Sequence, residues 1–136
     1  MYNNGVINKN QHVKRVSLTH DEVYTKIWQE SQTGAYVSYL RGKHCKTEDD
    51  FLIEVGVSFQ FPFYYGENWP AFDECINDLE WINFTRIFVI FDDFSIAFRD
   101  QPSIQNMLQE RVIRYWNNSI EEWAAQGKKV EVWINN

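Results

Sequence analysis

The hexapeptide RIFVIF, residues 86–91, is a continuous apolar run of β-branched and aromatic residues. Such a run is typical of a strand buried on both faces, as in a parallel sheet. Two further strand-like segments, AYVSYL (35–40) and VEVWI (130–134), precede and follow it, each separated from it by helical patterns. Because helical crossovers join parallel strands, we predict an α/β fold with a three-stranded parallel sheet packed with helices.

Three amphipathic patterns predict the helices between these strands. A helix begins after Thr47, where three acidic residues favour the positive end of the helix dipole, and its buried stripe is Phe51, Leu52, Val55 and Phe59. A second, short helix buries residues spaced i, i+3, i+4 and i+7, namely Phe72, Cys75, Ile76 and Leu79. A long pattern runs from Ser103 to Gln126, and Gly127 is suited to end it.

The N-terminal part of the chain is predicted to be an extension of residues 1–34, an arm plus a helix. Thr19 and Glu22 form a capping-box pattern, which predicts a helix near residues 20–30. The segment HVKRVSL (12–18) is polar enough to be either an arm or a short strand. With 136 residues there is room for one hydrophobic core, so residues 35–136 are predicted to form the single α/β domain.

The charge of the chain is unevenly distributed. The formal net charge is −6, and residues 47–85 contain nine carboxylates with no Lys or Arg. This segment would repel a phosphate backbone, which argues against nucleic-acid binding, and would attract a basic protein surface. An acidic face kept for solubility is the alternative. No apolar run suits a membrane span, and two cysteines without a disulfide framework predict a cytoplasmic protein with no membrane partner.

No pattern of catalytic residues is evident. Asp73 and Glu74 are adjacent on one helix and point about 100° apart, so they cannot both close on one substrate atom. Asp92 and Asp93 follow a strand and suit a metal site, an acid/base pair or ordinary loop polarity. Glycine-rich nucleotide-binding motifs are absent from the sequence. We therefore predict no enzyme activity, no catalytic residue and no cofactor.

A metal site is also not predicted. The available ligands are His44 and Cys45 together with the distant His12, His20 and Cys75. Zinc sites usually contain paired ligands two to five residues apart, and that spacing is missing here. Cys75 lies on the apolar face of the short helix, where a buried hydrophobic role is expected.

The most unusual stretch is FPFYYGENWPAFDECINDLEWI, residues 61–82. Gly66 frees the backbone to turn, Asn68 is a natural N-cap, and Pro70 suits a first helical turn. An aromatic loop thus leads into a helix whose side opposite the core is acidic, a combination suited to binding a protein. For each aromatic ring, packing of the loop against the core is an equal alternative.

The segment FPFYYGENWPAFDECINDL resembles the barstar family of ribonuclease inhibitors, whose hallmark is Tyr-Tyr-Gly-Glu-Asn running into an acidic helix. The resemblance extends weakly from about Tyr36 to Ile134, and residues 1–32 have no counterpart in the small type member. It implies a barstar-like domain and a protein that blocks the active site of a basic ribonuclease in a 1:1 complex. Positions that match the family's interface are Tyr64, Gly66, Asn68, Trp69, Glu74 and Glu122. The same acidic and aromatic constellation adds Tyr65, Asp73 and Asp78 to the predicted partner-binding residues.

Several contact positions depart from the family's pattern. Pro70 replaces an aspartate, Asp73 replaces a tryptophan, Glu74 is one methylene longer than the family's dominant aspartate, and Leu79 replaces an aromatic residue. These differences favour a partner other than the type enzyme, such as the toxin of a bacterial toxin–immunity pair. Two other hypotheses stay open: an acidic binding module with a non-nuclease partner, and an enzyme using Asp92, Asp93 or Glu122 on a small molecule.

Overall fold

A computed structural model of the chain describes residues 12–136. It contains four strands, four α-helices and two short 3₁₀ turns, Gly42–His44 and Phe94–Ile96. The strands are β1 (Val13–Val16), β2 (Tyr36–Arg41), β3 (Arg86–Asp92) and β4 (Lys129–Asn135). The helices are α1 (His20–Gln32), α2 (Glu48–Ser58), α3 (Trp69–Asp78) and α4 (Gln105–Ala125). Residues 1–11 of the predicted arm lie outside the described residues.

The sheet is parallel throughout, with the strand order β1-β4-β3-β2. The predicted central position of RIFVIF is confirmed, because β3 pairs on both sides and its residues from Ile87 to Asp92 are all buried. The prediction of three strands was wrong. Residues 13–16 pair with β4 from Val132 to Asn135 and add a fourth strand, since the backbone of VKRV finds a free sheet edge there.

Helices cover both faces of this sheet. The larger core lies on the face covered by α2, α3 and α4, and includes Phe51, Phe72, Trp116 and Trp123. The smaller core lies under α1, where Val23 packs against Phe88 and Ile90 on the other face of β3. The connection from β1 to β2 crosses the sheet in the direction opposite to the later connections, which places its helix on the opposite face.

The predicted helix ends follow local hydrogen-bonding rules. Thr19 and Thr47 each form a complete capping box, with Glu22 and Asp50 respectively as the reciprocal partner. Gly127 adopts a φ of 80° just after α4, a conformation that favours glycine over other residues. These capping predictions are confirmed. Among residues 12–136 no helix is both long enough and apolar enough to cross a membrane.

Side chains of α2 protect the exposed edge strand β2. Glu54 accepts hydrogen bonds from the backbone N–H of Arg41 and from its guanidinium, at 2.9 Å each, and Ser58 Oγ donates to the carbonyl of Tyr39. Unpaired strand edges are sites of unwanted pairing between chains. Side chains of α2 therefore satisfy polar groups at the C-terminal half of β2.

Candidate partner-binding surface

The loop before α3 is built on a tight turn that separates two neighbouring tyrosines. The backbone N–H of Tyr65 donates to the carbonyl of Pro62 at 2.9 Å, which places Phe63 and Tyr64 at the tip of the turn. Phe63 is fully exposed and Tyr64 is 59% exposed, and their rings meet edge to face. Tyr65 points inward, and its hydroxyl donates to the carbonyl of Leu52 at 2.8 Å. The turn therefore presents Phe63 and Tyr64 to solvent, while Tyr65 anchors it to α2.

The start of α3 is fixed by its cap. Asn68 Oδ1 accepts from the N–H of Ala71 at 2.9 Å, and Pro70 lies in the first turn, as predicted. The residue with a left-handed backbone in this loop is Glu67, with a φ of 54°, and not Gly66. Gly66 is required by space instead, because a Cβ there would lie 3.1 Å from Asn68 Nδ2.

The two sides of α3 differ as the sequence predicts. Phe72, Cys75, Ile76 and Leu79 are all buried, which confirms the predicted core face. Asp73 and Glu74 are exposed and Asp78 is half-buried. Because residues four apart share one side of a helix, Glu74 and Asp78 form one strip, and Asp73 with Asn77 forms the strip beside it.

Hydrogen bonds join the second of these strips to α4. Asn77 donates to Asp73 Oδ1 at 3.1 Å and accepts from Ser119 Oγ at 3.0 Å. Gln126 Nε2 donates to the carbonyl of Asn77 at 2.9 Å. Glu122 lies between Ser119 and Gln126, one turn from each, and so lies on the side of α4 that faces α3. The acidic strips of α3 and Glu122 of α4 thus belong to one surface.

The carboxylates of this surface have no cationic partner. Among residues 12–136, no Lys, Arg or His side chain comes within 4.0 Å of Asp73, Glu74, Asp78 or Glu122. The pKa of the Tyr64 hydroxyl is raised, first by partial desolvation and then by nearby negative groups that include Asp78 and Glu74. The hydroxyl of Tyr64 therefore stays protonated beside these acids and can donate a hydrogen bond.

Trp69 has a packing role and an exposed edge. Its ring stacks on Phe51 and on Tyr115, with centroids 5.7 and 5.8 Å apart, and its Nε1 donates to Glu48 at 2.9 Å. These contacts hold the half-buried ring at the junction of α2, α3 and α4. The packing role considered for this aromatic residue is thus present, and its role in partner binding stays a prediction.

A comparison with protein families identifies the fold. The family described as Barstar (barnase inhibitor) matches residues 35–135, which include the loop, α3 and α4. The chain belongs to the barstar family. A search among curated proteins finds no match to the chain. Barstar-family proteins are ribonuclease inhibitors and not enzymes, which makes a nuclease-type protein the expected class of partner.

Away from the surface formed by α3 and α4, the structure brings Asp92 and Asp93 close to His20. The ligand atoms of these three residues lie within 4.8 Å of one another. Asp92 is buried, and its oxygens accept from Tyr39 Oη at 3.0 Å, Asn135 Nδ2 at 2.9 Å and the N–H of Asp93 at 3.0 Å. Burial and the Asp92 carboxylate raise the pKa of Tyr39, which keeps it a hydrogen-bond donor. Asp92 therefore joins the ends of β2, β3 and β4, a structural role.

The two cysteines lie in the interior. Cys45 and Cys75 are free and buried, as expected of Cys75 from the sequence. Burial raises the pKa of the Cys45 thiol to about 12 and also raises that of Cys75. Metal ligation by cysteine requires the thiolate, so this environment disfavours a metal at His44 and Cys45.

Two features of the surface were not predicted from the sequence. Phe63 was not included among the binding residues, although Pro62 followed by Phe63 and Tyr64 is a signal for a turn with an exposed tip. The second feature is a pair of arginines on α4, Arg111 and Arg114, that border Trp69. No local sequence pattern predicts this pair, because Arg111 lies more than 40 residues after Trp69 in the chain.

Proposed function

We propose that this barstar-family chain is an immunity-type inhibitor that binds a basic ribonuclease 1:1 and covers its active site. The observation that carries the proposal is the set of exposed carboxylates on α3, beside an exposed aromatic turn, for which residues 12–136 supply no cationic partner. The proposed partner-binding residues are Tyr64, Tyr65, Gly66, Asn68, Trp69, Asp73, Glu74, Asp78 and Glu122. Phe63 is added to them because of its full exposure at the turn tip.

The chemistry of a ribonuclease active site suits this surface. Such a site is basic because it must hold the phosphates of RNA. Carboxylates on a helix can take the positions of those phosphates, and opposite charges steer the two proteins together. The three buried residues of α3 and its bonds to α4 hold the carboxylates in place before binding, which lowers the entropic cost of association.

The departures from the family's pattern bear on the identity of the partner. Pro70 and Asp73 occupy positions where the family's contacts differ in charge and size, and Glu74 reaches about one methylene further. We propose that the partner is a nuclease toxin of a bacterial toxin–immunity pair. Two free, buried cysteines suit a reducing compartment, and we propose the cytoplasm as the place of action.

Titration into a barnase-type ribonuclease tests the proposal, with RNA cleavage and heat of binding followed together. We expect inhibition that is complete at one equivalent and that weakens as salt is raised. Glu74→Lys should weaken binding on the order of 100-fold or more, because it places like charges against each other. Asp21→Lys is the matched control, since this exposed residue lies in α1, which covers the opposite face of the sheet.

The outcomes separate the hypotheses. Equal loss of binding in the two variants would mean that only net charge matters and would refute the assignment of the surface. Full affinity in Glu74→Lys would refute it also. Binding to a non-nuclease protein, with no inhibition of any ribonuclease tested, would favour the alternative of an acidic binding module.

A further inference from the structure

A basic pocket lies directly beside the acidic surface. It has a volume of about 510 Å³ and is lined by Trp69, Arg111, Arg114, Tyr115 and Asn118. Its floor is the stacked pair of Trp69 and Tyr115, whose planes are 10° apart. The guanidinium of Arg111 lies over the ring of Trp69, with its carbon 5.0 Å from the ring centroid. Aromatic surface and two cations therefore meet in one concave site.

Within residues 12–136, the two arginines of the pocket form no ion pair. Over residues 12–136, neither Arg111 nor Arg114 approaches a carboxylate within 4.0 Å, whereas Arg41 pairs with Glu54 and Arg86 pairs with Glu30. The cation–π contact with Trp69 orients the Arg111 guanidinium. The pocket is therefore prepared to receive an anionic group.

The position of the pocket identifies the source of that anion. Trp69 is the first residue of α3, and Asp73 lies four residues further on the same side of the helix, about 6 Å along its axis. A protein that contacts Asp73 and the neighbouring acidic residues would also cover Trp69 and the pocket beside it. If that protein were uniformly basic here, its cations would face both arginines, and unpaired like charges in an interface are strongly unfavourable.

We propose that the pocket formed by Trp69, Arg111 and Arg114 binds an acidic side chain of the partner nuclease and fixes the orientation in which the two proteins dock. This inference rests on the proposed function. Arginine is suited to the task because its planar guanidinium can form two parallel hydrogen bonds with one carboxylate. The partner thus carries a carboxylate beside the basic site that meets the acidic strips of α3. A strand of RNA fits less well, because the neighbouring carboxylates would repel its phosphates.

The first test removes the two charges. Arg111→Gln/Arg114→Gln should weaken binding to a barnase-type ribonuclease roughly 10- to 100-fold, as expected when charge-assisted hydrogen bonds are lost. Lys14→Gln/Arg15→Gln is the matched control, because it removes two positive charges from β1. We expect the control to change the affinity less than 3-fold. Unchanged or tighter binding by the α4 variant would overturn the inference.

The second test looks for the opposing carboxylate. Arg111→Glu/Arg114→Glu should lose binding, and changing one acidic residue of the nuclease to lysine should restore it, while the same changes elsewhere on the nuclease do not. Absence of any restoring change would overturn the inference. Failure of the proposed function itself has a different signature, namely no binding by the unmodified chain or no effect of Glu74→Lys in the same assay.

A third measurement tests the other source of an anion, the phosphates of RNA. A short RNA oligonucleotide is titrated into the chain without the nuclease. We expect no binding. Binding that is lost in Arg111→Gln/Arg114→Gln would assign the pocket to phosphate and overturn its assignment to a carboxylate of the nuclease.

Discussion

Substitution of Gly56 by alanine tests how the aromatic turn is anchored. Gly56 lies in α2, and a Cβ at this position would be 2.8 Å from Cε2 and 3.1 Å from Cδ2 of Tyr65. Carbon atoms in ordinary contact are about 3.5–4.0 Å apart, so the ring must move by roughly 0.7–1 Å. The ring is held by the bond from its hydroxyl to the carbonyl of Leu52 at 2.8 Å, and such a shift would break that bond.

The size of the effect follows from three contributions. Overpacking costs roughly 1–3 kcal/mol, and loss of the Tyr65 hydrogen bond costs about 1 kcal/mol. Alanine has a higher helix propensity than glycine, which offsets about 1 kcal/mol. We therefore expect Gly56→Ala to lower the free energy of unfolding by about 1–3 kcal/mol. It should also weaken nuclease binding, because the displaced Tyr65 carries Phe63 and Tyr64 with it.

Urea denaturation followed by tryptophan fluorescence measures this change. Val57→Ala, at the neighbouring exposed position, is the control and should stay within about 0.5 kcal/mol of the unmodified chain. Tyr65→Leu makes room for the new methyl group, so the double variant should be more stable than the sum of the single effects predicts. A stabilising effect of Gly56→Ala alone would refute the reasoning, because it would show that helix propensity acts without any obstruction by Tyr65.

Four further predictions concern the core and the thiols. Trp123→Phe removes the bond from Nε1 to the carbonyl of Ile76 at 2.6 Å and should lower the free energy of unfolding by roughly 1–3 kcal/mol in urea titrations; no change would contradict the buried bond. Val23→Ala should cost roughly 1–3 kcal/mol in the same assay, and a neutral effect would contradict the packing of α1 on the sheet. Cys45 and Cys75 should resist thiol reagents at pH 8 until the chain is unfolded, and rapid labelling of the native protein would contradict their burial. Burial raises the pKa of the Cys45 thiol from 9.0 to about 12, so the thiol of the unfolded chain ionises at lower pH than that of the folded chain. Between pH 9.0 and about 12 the free energy of unfolding should therefore fall by about 1.4 kcal/mol per pH unit.

Those parts of the fold that depend on local chemistry could be predicted from the sequence. Thr47 with its acidic first turn and Gly127 after α4 mark helix ends through neighbouring backbone groups only. The buried run at residues 86–91 identified the central strand by its composition. For β1 the sequence left open an arm or a short strand, because VKRV has two exposed basic residues between two half-buried valines and its partners lie more than 110 residues further along the chain.

In the candidate site too, features that depend on local sequence could be predicted, and features that depend on contacts between distant segments could not. The acidic side of α3 follows from helical periodicity, and the burial of Phe72 and Ile76 agrees with it. The sequence could not separate the roles of Tyr64 and Tyr65, because the inward direction of Tyr65 depends on the space above Gly56 and on the Leu52 carbonyl. The proximity of His20 to Asp92 likewise depends on how α1 crosses the sheet.

Inhibition of a barnase-type ribonuclease by the unmodified chain and by Glu74→Lys, measured side by side, tests the central claim most directly. We expect complete inhibition at one equivalent for the unmodified chain and a loss of affinity on the order of 100-fold or more for Glu74→Lys. Equal inhibition by both proteins would contradict the claim that the acidic face of α3 covers the active site of the nuclease.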